Sequence, residues 1–248
     1  MANVIHSKNS LSVQLKKQIV KQIFYLLGLP VLVFIGLILL KVLFDNRVLI
    51  ATGGTVGLFV WVLLNSAQYG EVKKIHTGLK GEKNTKKLLA TLPDSYTVLS
   101  DIKVEVEGKS SQIDHIVVGP TGVYVIETKN MNGSIVGNES DHQFVQHKIG
   151  RRGGEYSKSF YNPVKQVGTH VYRLATYLKK HSLDTWVQGI VYFSNPDAEV
   201  NVNSEKIPVF SFEDGPNQIV RYVMDHEGET LSAEKARRIV NLLSNLTL

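Results

Sequence analysis

The sequence predicts an α/β protein, a mixed sheet flanked by helices and preceded by two transmembrane helices. Three observations carry that reading. Two long uncharged apolar runs occupy residues 23–69, and β-rich runs then mix with amphipathic helical stretches from residue 79 onward. Charge is divided unevenly, with 6 Lys/Arg against one acid in residues 1–69 and 22 against 21 in residues 70–248. With 248 residues, 43% apolar and 20% charged, the chain can bury one domain core and carry an appendage. Having no cysteine, it excludes disulfides, thiolate nucleophiles and Cys-ligated metal sites.

Residues 1–22 form a basic segment expected in the cytoplasm, whose stretch Ser10 to Gln22 suits an amphipathic helix on anionic lipid or the solvated start of the first span. From Ile23 to Leu40 no residue is charged, enough at 1.5 Å per residue to cross a hydrocarbon core of about 30 Å. Asp45, Asn46 and Arg47 break the run, and a second uncharged stretch extends from Val48 to Tyr69. Together they read as a membrane hairpin over 23–69. Pro30 is expected near the entry of the first span or at a kink. Gly53 and Gly57, four apart, let the first helix approach closely or are merely tolerated. Lysines 8, 16, 17 and 21 before the hairpin and 73, 74 and 80 after it, against Lys41 and Arg47 at its turn, place both ends in the cytoplasm and the protein in the cell membrane. A removable signal peptide would have a shorter apolar region, a cleavage site and no second span.

Residues 70–78 read as a linker, and 79–248 as one domain with C-terminal helices. Leu79 to Leu92 is expected as a helix ending at Pro93. Thr97–Val106, Gln112–Val118, Val123–Thr128 and Ser134–Val136 read as strands separated by Gly, Pro and Asn punctuation. Asn162 caps and Pro163 opens a helix to about His181, striped by Val164, Val167, Val171, Leu174 and Leu178. Trp186–Phe193 and Ile207–Phe212 follow as strands, then helices over Pro216–Asp225 and Ser232–Leu246.

The densest chemistry lies in the hairpin turning at Pro120-Thr121. Opposed positions then sum to 241, which sets Asp114 against Glu127, with Cβ atoms about 5 Å apart. Lys129 shares their face by the period of two, at one end of an apolar row of Ile116, Val118, Val123 and Val125. Two acids that close repel unless a cation or proton intervenes. Oxygen-only ligands suit Mg2+, or Mn2+, with Asp114 and Glu127 as metal ligands and Lys129 orienting water. An ordinary cross-strand salt-bridge cluster satisfies the same spacing, and a one-residue slip would dissolve either arrangement.

The run from Gln112 through Asp114-His115, Gly119-Pro120-Thr121-Gly122 and Glu127-Thr128-Lys129 to Asn130, preceded by Gly81-Glu82 and followed by Asn162-Pro163 and Gln166, resembles the nuclease-related domain family, NERD. That family is similar to the PD-(D/E)xK nucleases of restriction-endonuclease-like fold. The resemblance covers about Gly78 to Phe193. It implies that Asp114 and Glu127 bind metal, that Lys129 is the catalytic lysine, that Glu82 is the acid of the first helix and that Gln166 belongs to the site. Phe144 departs from the tryptophan expected there, which bears on packing or a substrate contact.

Read on its residues alone, Glu82 also suits a helix N-terminus, where the dipole favours an acid. Gln166, with His170, Arg173 and Tyr177 on the same side of its helix, reads as a solvated face or as donors that attract phosphate. Asp141 to Tyr161 reads as a loop carrying Lys148, Arg151, Arg152 and Lys158 among glycines and aromatics, the candidate nucleic-acid contact together with Arg173. The expected function is a membrane-anchored, metal-dependent nuclease hydrolysing phosphodiester bonds, DNA ahead of RNA. Its alternative is a catalytically silent, membrane-tethered binding module of the same fold. No zinc signature, phosphate loop or nucleophile elbow is present.

Overall fold

The computed structural model describes residues 1–5, 10–44, 47–150, 153–215, 217–226 and 230–246. In chain order these form β1 (Asn3–Ile5), α1 (Ser10–Ile23), a π-helical turn (Phe24–Gly28), α2 (Leu29–Phe44), α3 (Arg47–Leu89), β2 (Thr97–Val106), β3 (Lys109–Gly119) and β4 (Gly122–Lys129). There follow β5 (Gly133–Asn138), β6 (Gln143–Ile149), β7 (Glu155–Tyr161), α4 (Pro163–Lys180), β8 (Val187–Phe193), β9 (Ala198–Asn203), β10 (Val209–Ser211), α5 (Gln218–Asp225) and α6 (Ala233–Ser244). Two compact units result, one of Ser10–Leu79 and one of Met1–Asn9 with Lys80–Leu248.

In the first unit, Ser10–Leu43 and the helix beginning at Arg47 are both long and apolar enough to cross a membrane, and their apolar windows are unburied within the chain. Proline at position 30 lacks an N–H and crowds the carbonyl four residues back. The helix absorbs this by widening to π geometry just before it, where Leu29 N–H bonds Phe24 O. Gly53 and Gly57 both face the first span. A Cβ on Gly57 would fall 2.8 Å from Val33 Cγ1, and one on Gly53 3.5 Å from Leu37 Cδ2. Polar ties between the helices run from Gln68 Nε2 to Gln18 Oε1, 2.5 Å, and from Asn65 Nδ2 to the Tyr25 carbonyl, 3.3 Å.

Residues 70–78 are helical, a correction to the linker reading. Val72, Ile75 and Leu79 recur at helical spacing and avoid the fully exposed class, a stripe too sparse to stand out among polar neighbours. The segment 1–22 is corrected likewise, because β1 within it is a sheet strand.

The second unit has two sheets where the sequence suggested one. The larger has the order β1-β2-β3-β4-β8-β10 and the smaller β7-β6-β5-β9. Strands β2, β3 and β4 form an antiparallel meander, while β4 and β8 pair in parallel. Residues of β4 alternate between two cores. Val123 and Val125 pack with Val164, Val167 and Leu174 of α4 and Ile239 of α6, whereas Tyr124 and Ile126 pack with Leu89, Leu92 and the α5 residues Ile219 and Val223. A central strand covered on both faces reads as the near-continuous apolar run Val-Tyr-Val-Ile.

The span 141–161 is a β-hairpin, not a loop, and β9 was not anticipated. Polar Gln146 occupies a buried position and β7 is exposed along nearly its whole length, so neither strand shows an apolar alternation. Phe144 is fully buried, edge-on to Phe160, and its ring lies where a Cβ on Gly137 would fall, 2.2 Å from Phe144 Cδ1. Position 144 is therefore a packing position.

Candidate functional site

The site is built where the β3–β4 ladder ends. Pairing runs from Gly119 opposite Gly122 to His115 opposite Ile126 in the register set by the Pro120-Thr121 turn. Asp114 and Glu127 stand one step beyond the last pair. There the carboxylate of Asp114 replaces a ladder partner, its Oδ2 accepting from Thr128 N–H at 2.9 Å. On the other side, β2 skips the same level. Ser100 pairs with His115 and Ile102 with Ile113, while Asp101 between them takes φ +58° and accepts from Gln112 Nε2 at 2.7 Å. Ile113 and Ile116 enter the same core although three residues apart, so the alternation is reset across Asp114. The kink frees this carboxylate from strict membership of either face.

Glu127 is buried at 3% exposure. Its Oε1 accepts from Lys129 Nζ and from Gln166 Nε2, each at 2.7 Å, and Lys129 Nζ also donates to Gln166 Oε1 at 3.0 Å. Strand β4 thus supplies acid and cation two residues apart on one face, and α4 closes the triangle. Oε2 of Glu127 accepts no hydrogen bond, with His170 Nε2 standing 3.5 Å away. Burial alone would raise the Glu127 pKa, but His170 and Lys129 outweigh it and hold the group below its ordinary value. Asp114 goes the other way. Lost hydration, then the charges of Glu127 and Glu82, push its pKa well up. One carboxylate is kept ionised and its neighbour is short of positive charge.

Helix α4 is placed by Asn162. Its Oδ1 accepts from Val164 N–H at 2.8 Å, and its Nδ2 donates to the carbonyls of Asn138, Glu139 and Asp141. A fully buried cap therefore ties the start of α4 to the β5–β6 turn. One turn in comes Gln166, and one turn later His170, which is buried instead of solvated. Sequence reasoning did not assign His170 to the site; its four-residue spacing from Gln166 was the available signal.

Glu82 lies well inside α3, seven residues before its end, which corrects the helix-terminus reading. Gly81 brings it near the sheet. A Cβ there would meet Asn130 Cβ at 2.5 Å and Ser194 Oγ at 3.1 Å, just past the ends of β4 and β8. Only a bare backbone allows that approach.

The proposed nucleic-acid contacts are dispersed. Lys148 pairs with Tyr156 and Lys158 with Gln146, so both lysines and the exposed Tyr156 share one face of the β6–β7 hairpin. Arg151 and Arg152 lie outside the described residues. Arg173 braces the start of β3, its Nη1 donating to Ser110 O at 2.9 Å and to Ser111 Oγ at 2.5 Å. A concavity of about 740 Å³ adjoins Lys148 and Tyr156, yet Glu155, Asp197 and Glu199 also line it and offset the lysine.

Among the described residues no three His, Asp or Glu side chains converge into a ready metal cage. Two carboxylates are what Mg2+ commonly uses, since it keeps several waters. Glu127 Oε2, which accepts no hydrogen bond, and the charge-starved Asp114 fit a cation beside them.

Comparison with known proteins supports the site's placement in a family. A curated relative, an uncharacterized protein of Bacillus anthracis, is 40% identical over 114 residues, covering 45% of this chain. The match spans about half the length of that relative. No solved structure gives a significant match. Residues 77–194, which contain Glu82, Asp114, Glu127, Lys129 and Gln166, match the family model described as nuclease-related domain. Over those residues the chain is similar to the nuclease-related domain family, NERD.

Proposed function

We propose that this protein is a membrane-anchored, metal-dependent nuclease that hydrolyses phosphodiester bonds of nucleic acid, DNA ahead of RNA, at the cytoplasmic face of the cell membrane. The observation that carries the reading is the closed network of Glu127, Lys129 and Gln166 beside Asp114, with one oxygen of Glu127 accepting no hydrogen bond. Asp114 and Glu127 would hold Mg2+ or Mn2+, which when bound supplies charge that offsets the phosphate and acidifies water. Glu127 stays ionised beside Lys129 and His170 and is ready as a ligand. Lys129, held by Glu127 and Gln166, presents its ammonium to the attacking water or a phosphate oxygen. Gln166 fixes that lysine's direction, and Glu82 adds negative potential that favours a cation at Asp114. Lys148, Lys158, Arg151 and Arg152 would meet the phosphate backbone. Membrane anchoring rests on the two apolar helices, and the cytoplasmic orientation on the lysines flanking them.

The test uses the full chain in detergent, incubated with single- and double-stranded DNA and RNA, with Mg2+, Mn2+ or chelator, beside Lys129→Ala and Asp114→Ala. Metal-dependent cleavage lost in both variants is expected, with Mn2+ binding lost only in Asp114→Ala. Cleavage by Lys129→Ala at the parental rate, or no cleavage of any substrate, overturns the enzyme reading in favour of a binding module.

A further inference from the structure

We infer that residues 3–5 are an integral strand of the C-terminal unit, so that both apolar helices are an insertion within one domain, which the bilayer holds by two covalent connections on one side. Three observations meet here. Strand β1 pairs in parallel with β2, Asn3, Val4 and Ile5 opposite Thr97, Val98 and Leu99. Backbone hydrogen bonds extend the docking, from Ala2 N–H to Ala90 O at 3.2 Å and from Asn3 N–H to Tyr96 O at 3.0 Å. Side chains of β1 and of Ala2 just before it enter both cores. Ala2 and Val4 pack with Leu89, Leu92 and Tyr96, and Ile5 joins the core under α4 and α6.

A strand this short adds little stability alone, yet it covers an edge that would otherwise offer the unpaired groups of Thr97 to Leu99 to any passing chain. The chain leaves this unit after β1 and re-enters it at Lys80, with both candidate spans between. Strands hydrogen-bonded to each other lie on the same side of a membrane. The intervening segment therefore crosses an even number of times, independently of the lysine distribution. The occupant of the β2 edge is this chain's own segment 3–5; exchange of that segment between two copies is the competing arrangement.

The absence of cysteine makes the test direct. Val4 and Val98 are register partners that enter the same core. In the full-length protein in detergent, oxidation of the Val4→Cys/Val98→Cys double variant is expected to give a crosslink within one chain, seen as a reducible gel shift at monomer mass, with neither single variant shifting. A crosslinked dimer at low protein concentration would assign the strand to a second copy and overturn the inference, as would no crosslink together with a Val4→Pro variant of unaltered stability. Because a disulfide can fail for local geometry, Val4→Pro gives a second measure. It should raise the protease sensitivity of the C-terminal unit several-fold, whereas Val4→Ile, which keeps the N–H and the apolar side chain, should leave it unchanged. Equal sensitivity in the two variants also overturns the inference. Neither readout depends on nuclease activity.

Discussion

Asp114 and His115 are adjacent in sequence and are perturbed in opposite senses of stability. Asp114, short of compensating charge, has a raised pKa. A folded acid with raised pKa retains its proton longer than the unfolded chain does, so its contribution to stability declines as pH rises through that range. Asp114→Asn keeps an acceptor for Thr128 N–H and removes the repulsion. It should stabilise the metal-free protein at neutral pH by on the order of 1 kcal/mol while abolishing Mn2+ binding, measured by thermal unfolding and metal titration. His115 is buried, its Nδ1 bonded with Ser100 Oγ at 2.9 Å. Burial and then the Lys86 charge bring its pKa down to about 3. The unfolded imidazole protonates near pH 6.5 and the folded one does not, so stability should fall as pH drops from about 6.5 toward 3, by up to about 1.4 kcal/mol per pH unit. Denaturant titrations across that range should show a flatter slope in His115→Gln than in the parent.

At the scale of elements, α4 couples a cap to a site. Asn162→Ala removes an N-cap worth about 0.5–2 kcal/mol and leaves carbonyls of the β5–β6 turn unpaired. Unfolding should therefore show a loss of about 2 kcal/mol, and cleavage should fall with it as Gln166 shifts from Lys129. Between the spans, Gly57→Leu forces a side chain against Val33 and should cost about 1–3 kcal/mol of hairpin stability. Fluorescence of Trp61, which lines the same groove, should change in a Trp186→Phe background that leaves it the only tryptophan. These elements also mark what was legible in the sequence. The β3–β4 register was readable because apolar alternation and a Gly-Pro-Thr-Gly turn agree, and α4 because cap, proline and stripe agree. Strands β6, β7 and β9 were not, because polar or exposed residues occupy most of their positions. His170 was hidden for another reason: whether a helical histidine is solvated depends on where its helix packs, and only the α4–β4 contact decides that. Local pattern likewise cannot reveal β1, whose partner lies beyond both apolar runs.

At the scale of the molecule, charge and the proposed anchoring bear on the same question. Residues 70–248 are nearly neutral, so substrate affinity in the proposed function rests on local rows such as Lys148 and Lys158 and should be strongly salt-dependent. Binding to a labelled duplex should weaken steeply between low and physiological salt, and Lys148→Ala/Lys158→Ala should reduce the slope of log affinity against log salt by about two. Tethering at a surface compensates for weak intrinsic affinity only for substrates that reach that surface.

The order of synthesis gives the pairing of Val4 with Val98 a further meaning. The first strand of the larger sheet leaves the ribosome before either apolar helix, and its partner leaves after both. It must wait, unpaired, while some ninety residues are made. That edge of the sheet therefore cannot close until both apolar helices have been made, and a chain arrested before that point carries no finished domain.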